Sequence, residues 1–116
     1  MNFEKETRGD ITIEKINIER ATYREADEFR RFIQEDIEKG SGKIIIDMKP
    51  CEFMDSTFLG VLVNSLKHLQ KTNGNLKLSS IHDDAKVLLD ITRISEIFTL
   101  YPDTESAIES FNSQKN

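Results

Sequence analysis

Lys43-Ile44-Ile45-Ile46-Asp47-Met48, followed after Lys49-Pro50-Cys51-Glu52 by Phe53-Met54-Asp55-Ser56-Thr57-Phe58-Leu59-Gly60, is the stretch that decides the fold. Its first six residues are short, β-branched and apolar apart from Lys43 and Asp47, with Gly42 and Pro50 on either side. A run of that kind, without polar alternation, reads as a strand buried on both faces, in the middle of a sheet covered by helices. Asp47 is unusual near the end of such a strand. A buried carboxylate needs hydrogen-bond donors at the strand's edge, or a place in a site. Asp55 is placed to cap the next helix, with Ser56 and Thr57 in its first turn. Leu59, Leu62, Val63, Leu66 and Leu69 continue that helix as an apolar stripe. Gly60 is expected to let it approach the sheet closely, and Asn73-Gly74 ends it.

The flanking segments repeat the alternation. Upstream, Ile11 to Ile16 is a strand, and Phe3 to Thr7 offers a charge-rich first arm of a hairpin turned by Arg8-Gly9-Asp10. Thr22-Tyr23-Arg24-Glu25 has capping-box spacing, and Ala26, Phe29, Ile33 and Ile37 follow at helical intervals until Gly40. The charges from Asp27 to Lys39 are the solvated face of that helix. Downstream come a strand at Leu76-Lys77-Leu78, a helix over Ile81 to Ile91 with Asp83 or Asp84 near its start, and a strand at Ile97 to Tyr101. A terminal helix starts at Pro102-Asp103 and packs through Ala107, Ile108 and Phe111, with Ser113 to Asn116 fraying. The order is that of one α/β domain spanning residues 1–116. It predicts a mostly parallel mixed sheet of four to five strands with about four helices and right-handed crossovers.

Composition narrows the function. The 116 residues carry a net charge of −5, which opposes a surface that neutralises DNA or RNA phosphates. No apolar run is long enough to cross a bilayer, and the N-terminus Met1-Asn2-Phe3-Glu4-Lys5-Glu6 lacks a signal-peptide pattern. With one cysteine, Cys51, no internal disulfide forms, and the reading is a cytoplasmic protein. Cys51 itself reads as a half-buried loop thiol.

Catalytic signals are scarce. Gly40-Ser41-Gly42 is no phosphate loop, and His68 and His82 lack metal-ligand spacing. Ser56 has neither a neighbouring histidine nor a nucleophile-elbow glycine, and Asp83-Asp84 reads as capping. No enzyme, cofactor or metal is expected. What remains is the strand-to-helix loop at Ser56, on the carboxyl edge of the sheet where partners of open α/β sheets approach. A phosphate there would add about −1.5 to −2 charge at neutral pH. Its expected effect is to change the surface and repel a docked partner, without altering the fold.

At these residues the chain resembles the STAS family, specifically the bacterial anti-sigma factor antagonists. The strand Ile44-Ile45-Ile46-Asp47-Met48, the loop Phe53-Met54-Asp55-Ser56-Thr57 and Leu59-Gly60 match the family's motif. Gly74-Asn75-Leu76-Lys77-Leu78 and Leu89-Asp90-Ile91-Thr92-Arg93-Ile94 with Ile97-Phe98 resemble its later elements. The resemblance implies a protein that, unphosphorylated, binds an anti-sigma factor with serine kinase activity and so frees a sigma factor for transcription. It implies Ser56 as the phosphoacceptor, with Thr57 as second choice, and a metal-dependent serine phosphatase as the reversing partner. Asp55 would position the hydroxyl or the docking loop, and Glu19 and Asp47 would line the same surface. The free protein is expected to be a monomer.

Three positions depart from the family pattern. Phe58 replaces the motif glycine, where it would enlarge the partner contact or block kinase docking. Arg93 replaces a glycine before the last strand, and Asn17-Ile18-Glu19-Arg20 replaces a glycine-containing exit from the second strand. Two other readings use the same fold: a STAS accessory subunit of a lipid-transport ABC complex, and a scaffold component of a stress-signalling assembly.

Overall fold

The computed structural model describes residues 1–113. The elements run β1 (Phe3–Arg8), β2 (Ile11–Ile16), β3 (Arg20–Ala21), α1 (Tyr23–Glu38), β4 (Lys43–Asp47), β5 (Phe53–Met54), α2 (Ser56–Gln70), β6 (Asn75–Ser79) and α3 (Asp83–Ile91). A 3-10 turn (Ile94–Glu96), β7 (Leu100–Tyr101) and α4 (Thr104–Asn112) complete the chain. Five strands form the main sheet in the order β1-β2-β4-β6-β7, antiparallel only at the β1–β2 hairpin. β4 is therefore the central strand, and its apolar run is buried on both faces.

Strand parity sorts the core into two layers. Ile44 and Ile46 of β4 face α1 and α2 in the larger cluster, with Phe29, Leu59, Leu62 and Leu66. Ile45 faces the other way, joining Ile11, Ile13, Ala107, Ile108 and Phe111 beneath α4. The capping box of α1 is present: Glu25 accepts from the Thr22 amide at 2.9 Å, and the Thr22 hydroxyl accepts from the Arg24 amide at 3.2 Å. Asp103 caps α4 by accepting from the Ser106 amide at 2.7 Å.

Several expectations change. The pair β3–β5 is a second, two-stranded parallel sheet that the sequence pattern does not announce. The last strand keeps only Leu100 and Tyr101, because a 3-10 turn occupies Ile94–Glu96 and leaves Ile97 outside the ladder. Arg93 begins that turn at φ 62°, a left-handed conformation that favours glycine. Gly60 has open space where a Cβ would go, so it is not the close approach. That role belongs to Gly74, where a Cβ would lie 2.7 Å from the Gly42 carbonyl oxygen. Asp83 and Asp84 lie in the first turn of α3 but do not cap it. His82 is the N-cap residue, and its Nε2 lies 2.6 Å from the Lys49 carbonyl oxygen. Cys51 is fully buried rather than half-buried, and burial pushes its thiol up to about 11. The fraying expected at the C-terminus falls, beyond Ser113, outside the described residues.

Candidate functional site

Two helix N-termini converge on one carboxylate. Oδ1 of Asp55 accepts from the Phe58 amide at 2.9 Å and caps α2, as the sequence predicts. Oδ2 accepts from the Tyr23 amide, also at 2.9 Å, in the first turn of α1. Asp55 thus fixes both helices with one side chain by accepting from amides that the helices leave free. The loop beneath it is equally tied down. Glu52 and Phe53 donate to the Glu19 carbonyl at 2.9 and 3.1 Å, and the Asp55 amide donates to the Ala21 carbonyl at 3.0 Å. This ladder is the β3–β5 pair, and it makes a rigid platform of what the sequence presents as a plain loop.

Ser56 is the first residue of α2, and both it and Thr57 are exposed. Asp55 makes the capping bond, so the Ser56 hydroxyl is not needed for it. Glu19 is exposed beside the platform. A cleft of about 530 Å³ adjoins it, lined by Arg20, Tyr23, Arg24, Phe53 and Asp55 among others. The Arg20 guanidinium lies over the Phe53 ring, 4.3 Å from its centroid. Of these, Arg20, Tyr23 and Arg24 escape a reading of motifs as site residues. The available signal is Tyr23, an aromatic in the solvent-facing first turn of α1 and 63% exposed.

Two expected surface residues lie elsewhere. Phe58 is 0% exposed and stacks on Phe29 with ring centroids 4.8 Å apart, with Phe3 at 6.3 Å. Its side chain is core, packed with Leu62 and Leu66 of the same helix. Asp47 shares parity with Lys43 and Ile45, so it points to the α4 face of the sheet, whereas α2 lies on the opposite face. It is 9% exposed, accepts from the Lys49 amide at 3.0 Å, and lines a separate cleft with Lys15 and Thr104. The structure brings together Glu19, Asp55, Ser56 and Thr57, and separates Asp47 and Phe58 from them.

Among the described residues no group of three or more metal-ligating side chains occurs, and no helix is long and apolar enough to cross a membrane.

Comparison with known proteins bears on this arrangement. The sequence pattern of the STAS domain matches residues 2–107. A Thermotoga neapolitana protein, provisionally named an anti-sigma factor antagonist, is 31% identical over 96 residues, which cover 82% of this chain and 80% of that protein. A crystal structure from Thermotoga maritima, provisionally named in the same way, superposes with a TM-score of 0.88 at 28% identity, covering 93% of this chain and 92% of that one. The Bacillus cell fate determinant SpoIIAA in its phosphorylated form superposes with a TM-score of 0.74, covering 94% and 98%. At 17% identity that likeness is one of fold.

Proposed function

We propose, from the premise that the chain belongs to the STAS domain family, that it is an anti-sigma factor antagonist switched by phosphorylation of Ser56. Members of this kind act by binding and not by catalysis. The observation that carries the proposal is the exposed Ser56 at the start of α2, on a platform whose shape does not depend on its hydroxyl. Unphosphorylated, the face formed by Glu19, Asp55, Ser56, Thr57 and the adjoining cleft docks an anti-sigma factor with serine kinase activity. That kinase transfers the γ-phosphoryl group of ATP to Ser56 Oγ, releasing ADP and the hydroxyl proton. The product carries about −1.5 to −2 extra charge beside Asp55, Glu19 and Glu52, which repels the partner. The capping bonds of Asp55 are untouched, so the switch acts on the surface and leaves the core alone. A metal-dependent serine phosphatase resets it. A relative of the same fold whose structure was solved in a phosphorylated form supports this reading.

The test is incubation with the anti-sigma kinase and ATP, followed by mass mapping. Wild type is expected to take one phosphate at Ser56 and Ser56→Ala none. Equal uptake by both proteins overturns Ser56 as the acceptor, and a phosphate mapped to Thr57 names the neighbour instead. Ser56→Asp is expected to weaken binding of the anti-sigma factor by about tenfold or more, with an unchanged circular dichroism spectrum.

A further inference from the structure

The helix α3 buries Ala85 and Leu89 against the domain and leaves the opposite stripe uncovered. Val87 is 54% exposed and Ile91 is 75% exposed. They lie four residues apart, hence side by side on one helix face. Ile97, 48% exposed, follows the 3-10 turn that packs against α3. Among the described residues, the other large apolar side chains this exposed are Met1 and Tyr23, both outside this segment.

Asp83 and Asp84 stand exposed in the first turn, Arg93 stands exposed just past the last, and Glu96 stands exposed at the end of the 3-10 turn beyond it. Lys86 and Asp90 satisfy each other at 3.2 Å on the same helix. Asp83, Asp84 and Arg93 make no ion pair among the described residues, although their neighbours do. Asp84 near one end and Arg93 near the other are opposite charges without a partner of their own, a pair that forms twice when two identical helices lie antiparallel. A two-fold axis near Leu88 and Leu89 sets Val87 of one copy against Ile91 of the other. The same axis brings Asp84 of each copy opposite the end of the other helix, just beyond which Arg93 stands.

We infer that α3 is a self-association surface on which a second copy of this chain docks antiparallel, through Val87 and Ile91 with Asp84 facing Arg93. The contact is small and each copy carries a net charge of −5, so the pair is a weak, concentration-dependent one. It departs from the monomer expected of the sequence. It does not depend on Ser56, and α3 stays uncovered whether or not the phosphorylation reading holds.

Sedimentation equilibrium of the full chain tests it over about 10 μM to 1 mM, the span of weak association. Wild type is expected to rise toward twice the chain mass. Ile91→Asp is expected to stay at the monomer mass, with an unchanged circular dichroism spectrum. Arg93→Asp is expected to weaken association at least about threefold, and Arg93→Asp with Asp84→Arg to recover it. The left-handed backbone at position 93 tolerates aspartate. The inference is overturned if wild type remains monomeric throughout, if Ile91→Asp associates like wild type, or if the charge swap fails to recover what Arg93→Asp loses. A stripe that binds a different protein while the chain stays monomeric also overturns it.

Discussion

Asp55 and Glu14 are two acids set into the same face of one small domain, and their surroundings treat them in opposite ways. Asp55 ends a short strand at the start of a helix, where backbone amides lack partners, and it collects one from each of two helices. Glu14 stands mid-strand in β2, where every amide belongs to the ladder, and its side chain is pressed under α1 at 0% exposure. Neither of its oxygens has a hydrogen-bond partner, and nor does Oδ2 of Asp36 on α1. The other oxygen of Asp36 pairs with Lys5 of β1 at 2.7 Å. Burial first, and the neighbouring Asp36 second, push the Glu14 carboxyl up to about 10, so it keeps its proton at neutral pH. The proton on Glu14 can join one of its oxygens to Oδ2 of Asp36, which leaves one Glu14 oxygen buried without a partner. The contrast teaches that the position of an acid within its element decides whether it becomes a helix cap or a protonated core residue.

The comparison can be broken or sharpened at three points. The largest effect is expected at Phe58, which supports the Asp55 junction from below. Phe58→Ala should lower the unfolding free energy by about 3–5 kcal/mol, read from the urea midpoint. A loss below about 1 kcal/mol would mean that the aromatic stack does not hold the platform. Asp55→Ala comes next, at about 1–3 kcal/mol, because amides of two helices lose their acceptor together. Amide hydrogen exchange should then quicken at both Tyr23 and Phe58. Quickening at Phe58 alone would show that the carboxylate serves a single helix.

Glu14 comes last, with the effect whose sign is clearest. Its folded pKa lies above the ordinary value of 4.5, so its contribution to stability is complete below about pH 4.5 and declines as the pH rises toward about 10. The groups that face it are Asp36 from α1 and Lys5 from β1, paired with each other. Glu14→Gln removes the titration and supplies an N–H for Asp36. It should raise stability more at pH 8 than at pH 5, the gain shrinking by about 1 kcal/mol for each pH unit of acidification. A difference between the two proteins that is flat from pH 5 to pH 8 would show that Glu14 titrates as an ordinary surface acid.

Much of this was readable along the chain because it rests on local rules. The β-branched run from Ile44 to Ile46, short and flanked by Gly42 and Pro50, read as a buried strand. Thr22 with Glu25, and Asp55 before Ser56, marked two helix starts by the donors those starts leave free. What escaped depended on residues far apart in sequence. The β3–β5 pair is two residues on each side, too short to show a period. Phe58 and Lys77 illustrate the same limit from opposite sides. Phe58 replaced a motif glycine beside Ser56 and was read as surface, yet Phe3 and Phe29 enclose it. Lys77 fell on the polar beat of an alternating strand, yet α4 covers it, the Ser110 hydroxyl accepts from it at 2.6 Å, and the Phe111 ring centroid lies 4.1 Å away.

The amino-acid order alone therefore determined the element types, the parallel α/β plan and the serine at the start of α2, since helix caps and strand periods are set by residues within a few positions of one another. Only the tertiary structure decided which side of the sheet each polar residue occupies. It put Asp47 away from Ser56, Phe58 in the core, Glu14 under a helix and Val87 with Ile91 in the open. Those outcomes depend on which distant surface arrives to cover a side chain, and no local pattern carries that information.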